Sequence, residues 1–136
     1  MKTLIILDSF ALLAMFKDEP GGPRVQELLH EAESDSADLV MASVNLGEVF
    51  CKTIREYGLD RGQEILAAIK QLPIEIVSVD QQLVLAAAHI KGFHRISYAD
   101  CIAAALTQRA SGTLLTGDPG FKNVADLNVE WLPGRA

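Results

Sequence analysis

The sequence predicts an α/β fold: a three-layer α/β/α sandwich built on a five-stranded parallel sheet. Two observations predict it. Short apolar runs alternate along the whole chain with longer segments of helical periodicity, the pattern of strand–helix–strand units. The first of these runs, Thr3–Leu7, is apolar enough to read as a buried strand, which helices on both faces of the sheet would cover. There is no internal repeat, linker or low-complexity stretch, so residues 1–136 read as one domain.

Taken in order, Thr3–Leu7 is an apolar run with β-branched residues and reads as a buried strand ending at Asp8. Phe10–Phe16 is apolar with helical character and is closed by the turn-rich Asp18-Glu19-Pro20-Gly21-Gly22-Pro23. Val25, Leu28, Leu29 and Ala32 recur at helical spacing, and Leu39–Ala42 is the second strand. Leu46, Val49, Phe50, Thr53, Ile54 and Tyr57 form one helical stripe, which Gly58 ends. Ile65, Leu66, Ile69 and Leu72 mark a further helix before Pro73. Ile74–Val79 is the third strand, ended by Asp80. Leu83–Ile90 and the Ala-rich Tyr98–Ala110 are helical, closed by Gly92 and Gly112. Thr113–Thr116 and Val129–Leu132 complete the strands.

A chain of 136 residues that is 49% apolar and 22% charged can bury its own core. Cys51 and Cys101 lie in apolar contexts without metal-ligand spacing, which predicts two small buried thiols in a reducing compartment. The apolar start is interrupted by Asp8 and followed by Lys17-Asp18-Glu19, so it does not read as a signal peptide. No run approaches the ~20 apolar residues of a membrane helix. A soluble, cytoplasmic protein is the expectation. The net charge of −6 excludes a broad basic surface for nucleic acid. It leaves room for an acidic nuclease whose carboxylates are neutralised by cations, and for a basic partner.

Ligands of open parallel sheets bind beyond the carboxyl ends of the strands. Asp8 follows the first strand, Asp118 the fourth, Glu48 opens the helix after the second, and Asp100 opens the Ala-rich helix. Each has a structural explanation. Asp8 and Asp118 suit helix N-caps, the latter ahead of Pro119. Asn45-x-x-Glu48 and Ser97-x-x-Asp100 resemble capping boxes, and Glu48 precedes Lys52 at a favourable helix spacing. Asp80 follows the third strand just as Asp8 follows the first. Together, however, four carboxylates on one rim repel one another, and hard divalent cations such as Mg²⁺ resolve the conflict through oxygen ligands. Neighbouring helix N-termini favour a phosphate. No His or Cys cluster points to zinc. Such an ion acidifies a bound water for attack on phosphorus, with Thr116 and Ser9 offering hydroxyls beside the acids.

At these residues the chain resembles the PIN-domain family and, within it, the VapC toxins of type II toxin–antitoxin systems. Leu4-Ile5-Ile6-Leu7-Asp8-Ser9-Phe10-Ala11-Leu12-Leu13 resembles the first motif of that family. Ser43-Val44-Asn45-Leu46-Gly47-Glu48-Val49 resembles the second, and Ser97-Tyr98-Ala99-Asp100-Cys101-Ile102-Ala103-Ala104-Ala105 the third. Leu114-Leu115-Thr116-Gly117-Asp118-Pro119-Gly120-Phe121 resembles the fourth. All four occur in order across essentially the whole chain. The resemblance implies a Mg²⁺- or Mn²⁺-dependent endoribonuclease with Asp8, Glu48, Asp100 and Asp118 as metal-binding and catalytic acids, assisted by Thr116. It implies an RNA substrate, a homodimer, a cognate antitoxin protein covering the site, and a bystander role for Asp80. Phe10 departs from the pattern, since many relatives carry a small polar residue there.

His30, His89 and His94 are scattered and read as solvated or packed side chains. Arg95, Lys52 and Arg55 read first as solvated charges and second as phosphate contacts near the rim. Trp131 suits core or interface. The competing functions are a receiver-like signalling module, a phosphohydrolase with Asp8 as covalent nucleophile, and a catalytically inactive metal-binding domain. The first lacks paired early acids and the second lacks an Asp at position 10. A nucleotide-binding fold lacks its Gly-rich loop.

Overall fold

The computed structural model describes residues 2–134. Strands β1 (Thr3–Leu7), β2 (Ala37–Ala42), β3 (Ile74–Val77), β4 (Thr113–Thr116) and β5 (Val129–Trp131) alternate with helices. These are α1 (Ser9–Phe16), α2 (Gly22–Glu33), α3 (Ser43–Tyr57), α4 (Leu59–Lys70), α5 (Gln81–Lys91) and α6 (Tyr98–Ala110). A 3-10 turn, Pro119–Asn123, joins β4 to β5. The sheet order is β3-β2-β1-β4-β5, and every pairing is parallel.

Strand alternation divides the core into two layers. Ile5, Leu7, Leu39, Met41 and Leu115 point to the side covered by α1–α4. Ile6, Val40, Ala42 and Leu114 point to the side covered by α5 and α6. The chain builds the sheet outward from β1 in one direction through β3, then returns and builds in the other. Right-handed crossovers therefore place the two sets of helices on opposite faces. β1, buried on both faces from Ile5 to Leu7, is the central strand. The reversal of strand order falls between β1 and β4, which makes the crevice beyond their carboxyl ends the natural ligand position.

Helix α6 is buried from Cys101 through Thr107. Its alanines allow close approach to the sheet and to α3 and α5. Where α3 crosses α4, Gly62 is required: a Cβ there would lie 2.8 Å from Ile54 Cγ1. Gly58, at a φ of 95°, makes the turn between these helices that an L side chain would strain.

Three sequence expectations need correction. Strand β3 ends at Val77 rather than Val79, because its partner β2 turns into α3 after Ala42 and leaves Ser78 and Val79 nothing to pair with. Cys51 is exposed on α3, so only Cys101 is a buried thiol. Asn45 does not cap α3; that helix starts at Ser43 directly from β2, with Ala42 at the cap position and no side-chain cap bond. Among the described residues no helix is long and apolar enough to cross a membrane.

Candidate metal centre

Asp8 stands at the junction of β1 and α1. It is 1% exposed, and its Oδ1 accepts the Ala11 backbone N–H at 3.0 Å, capping α1. Thr116, at the end of β4 and fully buried, hydrogen-bonds to the same carboxylate. The Thr116 Oγ1 also accepts the Asp118 backbone N–H at 3.1 Å. One hydroxyl thus ties the ends of the two strands that flank the switch point. Asp118 in turn caps the 3-10 turn, its Oδ1 accepting the Gly120 N–H at 2.9 Å.

Asp100 enters from the opposite layer. Ser97 caps α6 by accepting the Asp100 N–H at 3.1 Å, which fixes the first turn and leaves the Asp100 carboxylate half-buried. Glu48 comes from the second turn of α3. Its Oε2 lies 3.7 Å from Lys52 Nζ, while its Oε1 is buried without a hydrogen-bond partner. Asn45, one helical turn earlier, donates from Nδ2 to the Ala99 carbonyl at 3.1 Å, pinning α3 to the residue before Asp100. Its Oδ1 is likewise buried and unpartnered.

Electrostatics joins these groups into one set. Burial above all, then the charges of Asp100 and Asp118, push the Asp8 carboxyl up to about 7, against the hydrogen bonds from Thr116 and Ala11. Burial and the charges of Asp118 and Glu48 push Asp100 up to about 6, against the Ser97 hydrogen bond and Lys52. Asp8, Asp100 and Asp118 thus feel one another's charge, and Asp100 also feels that of Glu48. Asp80 does not join them. It caps α5 by accepting the Leu83 N–H at 2.7 Å and pairs with Arg109 at 3.0 Å, and these partners hold its carboxyl below the ordinary range.

The donor set fits a hard cation. It consists of oxygens, its carboxylates are raised by burial and mutual repulsion, and two buried acceptor oxygens lack donors. Among the described residues no three His, Cys, Asp or Glu side chains are gathered tightly enough to hold an ion by direct ligation. Mg²⁺ retains several waters and needs one or two carboxylates directly, so a looser cluster suits it where a zinc cage would fail.

The remaining candidates sort clearly. Ser9 is buried at the start of α1. Arg95 and Arg55 are exposed. His30 is solvent-exposed near Glu33, and His89 meets the Phe93 ring at a tilt, with centroids 5.3 Å apart. Phe10, where a small polar residue was expected, lies over the Thr116-Gly117-Asp118 turn: a Cβ on Gly117 would stand 2.4 Å from the Phe10 ring. Sequence reasoning missed Asn45 as the link between α3 and α6. Its signal was its place one turn before Glu48, on the same helix face.

A PIN-domain family model matches residues 5–127, and the chain belongs to that family. Solved structures of similar fold agree with it. VapBC2 of Rickettsia felis, in a structure bound to a promoter DNA fragment, superposes with a TM-score of 0.74 at 18% identity over 96% of this chain and 99% of its own. VapC20 of Mycobacterium tuberculosis, a toxin described as cleaving the sarcin–ricin loop, gives 0.73 at 14% identity over 97% and 99%. FitAcB of Neisseria gonorrhoeae gives 0.70 at 20% identity over 92% and 95%. No curated protein sequence matches the chain significantly.

Proposed function

We propose that this PIN domain is a Mg²⁺- or Mn²⁺-dependent endoribonuclease of the cytoplasm, serving as the toxin of a type II toxin–antitoxin pair. The observation that carries the reading is the grouping of Asp8, Asp100, Asp118 and Glu48 at the switch point, where burial and mutual repulsion raise the Asp8 and Asp100 carboxyls. A bound divalent ion would balance this charge and acidify a water for attack on the phosphodiester. The chain's own residues do the positioning. Thr116 and the Ala11 N–H fix the Asp8 carboxylate, and Ser97 sets the first turn from which Asp100 projects. Asn45 holds the α3 and α6 contributions in register. Asp100 is half-buried, and its carboxylate would take the proton that the attacking water releases.

The toxin role is supported by the similar VapBC and VapC folds, of which VapC20 is named as a sarcin–ricin loop cleaving toxin. An antitoxin is the corresponding partner. A second copy of the chain is the other, supported by the exposed Leu85 on α5 and Phe93 just past its end.

The decisive test incubates purified protein with total cellular RNA in Mg²⁺, Mn²⁺ or chelator and maps the new ends. Cleavage that requires metal and disappears in Asp8→Asn and Asp100→Asn, with unchanged circular dichroism, is the expected result. Equal cleavage by both variants, or cleavage indifferent to chelator, would overturn the assignment.

A further inference from the structure

The chain's one tryptophan, Trp131, stands beside the acids without belonging to them. It is the parallel partner of Thr116 in register, one strand spacing of about 4.8 Å away, and Thr116 holds the Asp8 carboxylate. Val129 packs into the layer under α5 and α6, so Trp131, two residues on, points to that face as well. The backbone fixes the platform: the Leu132 N–H donates to the Thr116 carbonyl at 2.8 Å. The side chain itself is 43% exposed. Beside it lies a cavity of about 450 Å³, lined among others by Phe121, Lys122, Asn128 and Val129, a size that takes a small ligand.

The lining residues define what would fit. Lys122, on the turn that Asp118 caps, reaches over the Trp131 ring with its Nζ 5.9 Å from the centroid. It makes no ion pair with any described carboxylate, whereas Lys17, Lys52 and Arg61 are paired with Glu56, Glu48 and Glu64. A cation at that distance from an exposed ring is held weakly and exchanges readily for a ligand's phosphate. Asn128 carries an amide, at once donor and acceptor, and Phe121 and Val129 are apolar. An aromatic ring, an unpaired ammonium and an amide around one cavity match a nucleotide: the base stacks on the ring, its edge meets the amide, and the phosphate meets the ammonium. Stacking also suits a chain of net charge −6, because it holds RNA with few cations.

We propose that Trp131, Lys122 and Asn128 form a nucleobase subsite that holds one unpaired base of the RNA beside the cut. The proposal rests on the ribonuclease reading and adds the residues that position the strand relative to the acids. A second copy of the chain docked on the exposed indole is the competing occupant.

Because Trp131 is the only tryptophan, its emission reports the subsite directly. The Asp8→Asn protein, the non-cleaving parent, is titrated in Mg²⁺ with an unstructured RNA oligomer and with an abasic oligomer of the same length. The RNA with bases is expected to quench the emission saturably, and the abasic one to leave it unchanged. In anisotropy of labelled RNA, Trp131→Ala added to this parent should weaken binding about tenfold, while Trp131→Phe keeps most of the affinity because its ring still stacks. Lys122→Ala should flatten the salt dependence by about one ion. Thermal melts verify folding. In the cleaving protein Trp131→Ala should raise KM on long RNA more than it lowers kcat. RNA that binds the parent without quenching, or binds Trp131→Ala equally well, overturns the subsite. So does equal quenching by the abasic oligomer. A dimer that Trp131→Ala dissociates, with RNA affinity unchanged, overturns it too and makes the indole an interface between copies. If the wild-type protein neither binds nor cuts RNA, the ribonuclease reading itself falls; if it cuts normally and Trp131→Ala behaves as its parent, the subsite alone falls.

Discussion

Asp8 is the one carboxylate of the four that is fully buried, and its charge costs the most. Its folded pKa of about 7 stands above the ordinary 3.8, as does the value of about 6 for Asp100. The folded protein therefore binds more protons than the unfolded chain between about pH 4 and 7. Metal-free stability must fall as pH rises through that window, then level off. Denaturant midpoints in chelator across this range would measure it. Asp8→Asn should remove the larger part of the slope, since its own shift from 3.8 to about 7 is worth on the order of 4 kcal/mol. Excess Mg²⁺ should restore stability at pH 8; a melting temperature unmoved by metal would contradict the proposed centre. At this scale Asp8, Asp100 and Asp118 were legible because each stands at a strand end or helix start, whereas Glu48 lies a turn further into α3 than the helix start the sequence suggested for it. Asn45 was not, because an Asn three residues before a Glu imitates a capping box, and only the direct passage from β2 into α3 shows that the helix has already begun.

Between elements, the junction of β1 with β4 carries the site, and Phe10 with Gly117 shows how closely it is fitted. The Phe10 ring occupies the space a side chain on Gly117 would need. Gly117→Ala should destabilise by about 1–3 kcal/mol, as overpacking does. Phe10→Ser should relieve that cost, so a double-mutant cycle in urea should show strong coupling. Additive effects would mean the two do not share this space. The α3–α6 junction depends on the Asn45 bond to the Ala99 carbonyl, and Asn45→Ala should cost roughly 1–2 kcal/mol. Cleavage should suffer more than stability, since the register of Glu48 against Asp100 is lost. Helices and most strands were readable from periodicity alone. The true end of β3 was not, because apolar Val79 continues the pattern and only the partner strand decides where pairing stops.

At the scale of the molecule, alternation of strands and helices predicts a parallel sheet but not its order. The order β3-β2-β1-β4-β5 depends on which layer each crossover covers, a tertiary choice that leaves little local trace. The same choice puts α5 on an outer face, where it packs Leu83, Ala87 and Ile90 inward. Outward it carries Leu85 at 61% exposure, followed by Phe93 at 77% just past its end. With His89 between them at helical spacing, they form an apolar stripe without a cover in the single chain. Burying two such large side chains against their copies would contribute about 1.5–3 kcal/mol each, a substantial share of a two-fold interface. The proposed dimer should therefore be sensitive here. Leu85→Glu with Phe93→Glu should shift the protein from dimer to monomer in light scattering, while circular dichroism and the metal-dependent melting shift persist. A double variant that remains dimeric would move the interface to another face.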